Sequence, residues 1–150
     1  MNFSDTDLTQ KEADRLLRVE KYKTDDTVYL FPLKGRSLRI PLRAKSGNEE
    51  FSLDLYRGMV EIGKNMFQTR ALKRVVLARL DLGGLPHRNP DGAEILSPHL
   101  HLYREGYDDQ WAYGLPKSFK DPKDIWRTLN EFMDLCHIVD KPNIQRDTIP

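Results

Sequence analysis

Apolar and polar positions repeat with two different periods along this chain. Between Thr9 and Tyr22 the apolar residues Ala13, Leu16 and Leu17 recur at helical spacing. Thr9 stands three positions before Glu12, the pattern of a capping box, and Leu8 and Ala13 are placed for a hydrophobic staple. A short amphipathic helix ending near Tyr22 is predicted. From Thr27 to Leu82 the period falls to two, as on strands whose successive side chains point to opposite faces. Strands are predicted at 28–31, where Pro32 breaks the run, and at 38–43, 51–57 and 60–67. Residues 70–82 read as one long strand, buried on both faces around Val75-Val76-Leu77. Pro41 marks 38–43 as an edge strand, because proline has no N–H to offer a neighbour.

Residues 83–92 are a loop dense in turn formers. It leads to a strand at 99–103 whose partner is 110–115, with 105–109 as the hairpin turn. A second helix is predicted from Asp121 as N-cap and Pro122 at the first helical position. Its apolar stripe is Ile125, Leu129, Phe132, Met133 and Cys136. Residues 140–150 have no period and are expected as an irregular tail. The expected architecture is one α+β domain over residues 1–150. In it a curved antiparallel sheet, a meander of about seven strands, is flanked by an N-terminal and a C-terminal α-helix.

Composition places the chain among globular proteins, with 39% hydrophobic and 31% charged residues. The lone Cys136 excludes an internal disulfide framework, and the opening residues lack a basic-then-apolar signal. No apolar run has the length of a membrane span, so a cytoplasmic protein without membrane contact is expected. The net charge of +1 conceals an asymmetry. Residues 34–88 hold twelve Lys/Arg against five Asp/Glu, and the rest of the chain twelve against eighteen. A basic middle between acidic flanks fits a sheet that faces a polyanion such as RNA. It equally fits flanks that neutralise the sheet.

The candidate chemistry gathers in Pro98-His99-Leu100-His101-Leu102-Tyr103-Arg104. Alternation sends Leu100 and Leu102 into a core and aligns His99, His101 and Tyr103 on the other face, toward water. Two imidazoles can share acid and base work without a metal or other cofactor, with Arg104, Arg79 or Lys117 steadying an oxyanion. RNA supplies its own 2′-hydroxyl nucleophile. Alternatively His99 and His101 ligate zinc or manganese with His87, or with Asp91 or Glu94 as the third ligand. In the plainest reading the rings only bond loop backbone, with His101 packed on Trp111.

Arg79, Arg74 and Lys73 are the candidate phosphate ligands, and Tyr103 and Tyr107 the candidate base-stacking rings. Arg79, set in an apolar strand, calls for a carboxylate partner or a bound anion. Arg74 and Arg79 differ in parity and share a face only if a bulge intervenes.

The stretch Leu8-Thr9-Gln10-Lys11-Glu12-Ala13-Asp14, the run Pro86-His87-Arg88-Asn89-Pro90-Asp91-Gly92, the segment 98–106 and Pro142-Asn143-Ile144-Gln145-Arg146 resemble the pattern of an uncharacterised bacterial family of about this length. The resemblance spans nearly the whole chain. It implies an accessory protein of the kind found among toxins and phage-defence factors, with RNA as a target and a cognate neutralising protein as a partner. A ribonuclease, or a non-enzymatic inhibitor or antitoxin-like module using the same face, would fit it. It transfers no catalytic residue.

Overall fold

The computed structural model describes residues 8–59 and 64–146. Helix α1 (Gln10–Arg18) is followed by strands β1 (Lys21–Lys23), β2 (Val28–Leu30), β3 (Ser37–Ala44), β4 (Glu50–Arg57), β5 (Asn65–Ala71) and β6 (Val75–Leu82). Then come β7 (His87–Arg88), β8 (Glu94–Ile95), β9 (His99–Leu102) and β10 (Ala112–Gly114), helix α2 (Ile125–Leu135), and strands β11 (Ile138–Asp140) and β12 (Asn143–Gln145). Eight strands form one open sheet in the order β10-β9-β6-β5-β4-β3-β1-β11. Its pairings are antiparallel except at the β1–β11 edge, which is parallel. Two small ribbons, β2–β12 and β7–β8, stand beside it. The α+β class is as the periodicities predict; the main sheet holds one strand more than the expected seven and is mixed.

Thr9 caps α1 by accepting the Glu12 amide at 3.1 Å. The helix stops at Arg18, short of Tyr22, because the next residues join the sheet as β1. The Lys21 side chain is fully buried, and its ammonium donates to the carbonyls of Leu17, Val19 and Cys136. Those carbonyls lie at the ends of both helices, where backbone acceptors lack an internal partner. The cap of α2 is Asp124 rather than Asp121, which sits one turn earlier.

Residues 70–82 are two strands, not one. A turn at Leu72-Lys73-Arg74 folds β5 onto β6, with positive φ at Leu72 and Lys73. Neither residue is Gly or Asn, so the turn carries no composition signal. Of the strand expected at 60–67, residues 60–63 lie outside the described residues. Pro41 sits inside the sheet, but β1 pairs with β3 only as far as Leu42, so among the described residues no strand pairs with β3 on that side from Pro41 to Ser37. Residues 143–145, expected in an irregular tail, pair in parallel with β2.

One bulge decides which face each residue of β6 uses. Thr69 pairs with Ala78 and Arg70 with Val76, leaving Leu77 as an extra residue. Parity reverses there. Val75 and Leu77 before it, and Ala78, Leu80 and Leu82 after it, therefore enter the same core. That core also takes Ala13 and Leu16 of α1 and Leu129, Phe132 and Met133 of α2. The opposite face of the sheet carries polar side chains in register: Arg39, Asp54, Gln68, Arg79 and His101 are successive cross-strand partners. No helix among the described residues is long and apolar enough to cross a membrane.

Candidate functional site

Pairing of β6 with β9 sets Arg79 opposite His101 and Asp81 opposite His99. All four side chains share the polar face, and they meet. His99 Nε2 and His101 Nε2 each lie 3.2 Å from Asp81 Oδ2. The far nitrogen of each ring faces a backbone carbonyl: His101 Nδ1 is 2.8 Å from Asp109 O and His99 Nδ1 is 3.3 Å from Leu96 O. Arg79 spans two carboxylates, donating through Nε to Asp81 Oδ1 at 3.0 Å and through Nη1 to Asp109 Oδ2 at 2.8 Å. Its Nη2 stands 3.1 Å from His101 Nε2.

The alternation correctly puts both imidazoles on one face, but they do not look into water. His99 is 2% exposed and His101 is 0% exposed. The ring of His87, from β7, packs edge-on to His101 with centroids 4.6 Å apart. His87 Nε2 is 2.7 Å from the Gln110 carbonyl and therefore donates to it. Among the described residues, the ligand atoms of Asp81, His99 and His101 all lie within 4.8 Å of one another. That group includes Asp81 and none of His87, Asp91 and Glu94.

Burial shapes the charges here. It pushes the Asp81 carboxyl up, yet His101 and the Arg79 guanidinium, both within hydrogen-bond reach, outweigh it and hold the group at about 2. Burial pushes His99 below the ordinary imidazole range, against the opposing pull of Asp81. The cluster borders a pocket of about 290 Å³ lined by Tyr56, Lys64, Met66, Arg79, Asp81 and Leu85 among others.

Other expected members lie elsewhere. Arg104 stands away from the imidazoles, its guanidinium 4.2 Å from the Trp111 ring and 5.9 Å from Tyr107. Trp111 packs with these two and not with His101 as the plainest reading had it. Tyr103 follows the last residue of β9 and turns into the core, with its hydroxyl bonded to the backbone of Leu8. It therefore presents no ring to a base. Tyr107 is exposed but meets Trp111 edge to face. Lys73 and Arg74 are exposed in the β5–β6 turn.

Asp81 and Asp109 were missed as functional candidates. Asp81 had a signal, since Arg79 and Asp81 share parity on a strand. Asp109, in a turn thirty positions from Arg79, had none.

A second feature lies further along the polar face. A groove of about 510 Å³ is lined by Arg39, Arg43, Lys73, Glu50 and Ser52, among others. The exposed Arg39 is 3.6 Å from the buried Asp54, and Lys73 is 3.8 Å from Glu50 with both side chains exposed. Arg43 has no carboxylate partner among the described residues.

No curated protein and no solved structure matches the chain. A family model described as a family of unknown function, DUF6978, matches residues 8–138, and the chain belongs to that family.

Proposed function

We propose that the chain binds RNA, holding the phosphates of a single strand along the helix-free face of its sheet. The observation that carries this reading is the groove lined by Arg39, Arg43 and Lys73. Three cations there have weak or no carboxylate partners, and weakly paired cations can exchange their contacts for phosphate at small cost. The contacts reach backbone rather than bases, so little sequence preference is expected.

Binding, not cleavage, is the activity we assign to this face. Acid–base catalysis by His99 and His101 requires a ring nitrogen within hydrogen-bond reach of substrate. Both Nε2 atoms are instead turned to Asp81 on buried rings, and the Arg104 guanidinium packs on Trp111. Neither a toxin role nor a neutralising protein partner is needed to account for the face.

The test is the salt dependence of binding to a fluorescent oligoribonucleotide. The wild type should lose affinity linearly in log salt. Arg39→Ala, Arg43→Ala and Lys73→Ala combined should reduce that slope by about 2, at roughly 0.7 per phosphate contact on a single strand. A wild type that does not bind, or a triple variant with an unchanged slope, overturns the reading.

A further inference from the structure

The arrangement of lone pairs around Asp81 Oδ2 poses a chemical problem. A carbonyl oxygen only accepts, so the ring nitrogens facing Leu96 O and Asp109 O carry the protons. In neutral imidazoles this leaves both Nε2 atoms bare. Both point at the same carboxylate oxygen, each at 3.2 Å. Three lone pairs directed at one region repel one another unless a cation sits among them.

Arg79 supplies part of that cation. Its Nη2 is 3.3 Å from Asp81 Oδ2 and 3.1 Å from His101 Nε2. Among the described residues, no cationic side chain contacts His99 Nε2.

We propose that Asp81, His99 and His101 form a binding site for one divalent transition-metal ion, and that Arg79 is the internal cation which that ion displaces. Two imidazole nitrogens and one carboxylate oxygen suit zinc, iron or cobalt rather than calcium or magnesium. A metal-bound histidine characteristically donates its other ring N–H to a backbone carbonyl, and both rings already do so. The third ligand comes from the adjacent strand, placed by register opposite His99. Arg79 leaves Asp81 and His101 but keeps Asp109, already held at 2.8 Å by Nη1. Three protein ligands leave at least one coordination position open, and the pocket beside Arg79 and Asp81 is where a further ligand would enter. The site is separate from the Arg39–Arg43–Lys73 groove, and neither proposal requires the other.

The test is calorimetric titration of Zn²⁺ into the full chain, purified without an affinity tag and stripped with chelator, with the Co²⁺ absorption spectrum as second readout. One ion per chain at micromolar affinity or better is expected. Asp81→Asn and His99→Gln should each weaken binding about 10-fold or more. Arg79→Gln should tighten it, because the competing cation is gone; loss of a merely structural ion pair would not. The proposal is overturned if the wild type takes up neither Zn²⁺ nor Co²⁺. Equal uptake by the wild type and the folded Asp81→Asn protein overturns it as well. Should Asp81→Asn fail to fold, the wild type and Arg79→Gln decide, and binding no tighter in Arg79→Gln counts against it.

Discussion

Asn89 makes with Ala112 the pair of hydrogen bonds that one strand makes with the next. Its Nδ2 donates to the Ala112 carbonyl at 2.9 Å and its Oδ1 accepts the Ala112 amide at 2.8 Å. Ala112 sits on the edge strand β10 directly opposite His101. One side chain thereby fastens the β7–β8 ribbon to the sheet edge, covers part of that edge, and helps keep water from the imidazoles.

Asn89→Ala should cost about 2–4 kcal/mol, since both partners are buried backbone groups left without a bond. Urea denaturation gives the total. Amide exchange locates it: the Ala112 N–H should exchange faster while amides of β4 and β5 keep their protection. Uniform acceleration across the sheet would mean that Asn89 supports the fold generally and does not act as a local fastener.

Acid should weaken the protein through Asp81. Its carboxyl is held at about 2 in the fold, below the ordinary 3.8. A folded value below the unfolded one stabilises the fold above the unfolded value, and the contribution disappears as pH falls through the folded one. The window is therefore from about pH 4 down to about pH 2, and the amount about 2 kcal/mol. The stability difference between wild type and Asp81→Asn, measured in urea at several pH values, should shrink across that window. A difference independent of pH would show that the carboxylate charge contributes nothing.

The periodicities reveal the two helices and most of the strands, because amphipathic repeats reflect one common core. They also correctly align His99 with His101 and oppose them to Leu100. They cannot say what covers a face. The imidazoles are buried by His87 and by the carbonyls of Leu96 and Asp109, which arrive from separate loops. Tyr103 departs from its expected face because β9 ends one residue earlier. The turn at Leu72-Lys73 is built from residues that seldom adopt positive φ, so the local sequence gives no sign of it. The β2–β12 pairing joins segments more than a hundred residues apart, and no local pattern encodes it.

Lys21 should make stability rise between pH 8 and pH 9. Burial lowers its ammonium to about 8 from the ordinary 10.5. A depressed folded value means that the unfolded chain binds more protons in the interval, so stability increases with pH there. About 1 kcal/mol is expected over that unit of pH. Above pH 9 the Cys136 thiol, which burial raises to about 12, acts in the opposite sense. Lys21→Met should abolish the rise and, by leaving three carbonyls without their donor, lower stability at pH 7. A wild-type profile that is flat from pH 8 to 9 would contradict this account.

The bulge at Leu77 permits a sharper experiment on how this chain assigns its faces. Replacing Leu77 with Ala removes a buried side chain, costs about 2–4 kcal/mol and keeps the backbone register. Deleting Leu77 is a different perturbation, because it removes the extra residue itself. Val75, Val76, Ala78, Arg79, Leu80 and Asp81 then follow one another opposite residues 71 to 66 in unbroken alternation, with Val75, Ala78 and Leu80 still inward and Arg79 and Asp81 still outward. The deletion should therefore still unfold cooperatively, at lower urea than the wild type because it loses the same buried side chain. A deletion variant without a cooperative transition would mean that the bulge itself, and not the alternation on either side of it, sets the polar face on which Arg79, Asp81 and the two histidines converge.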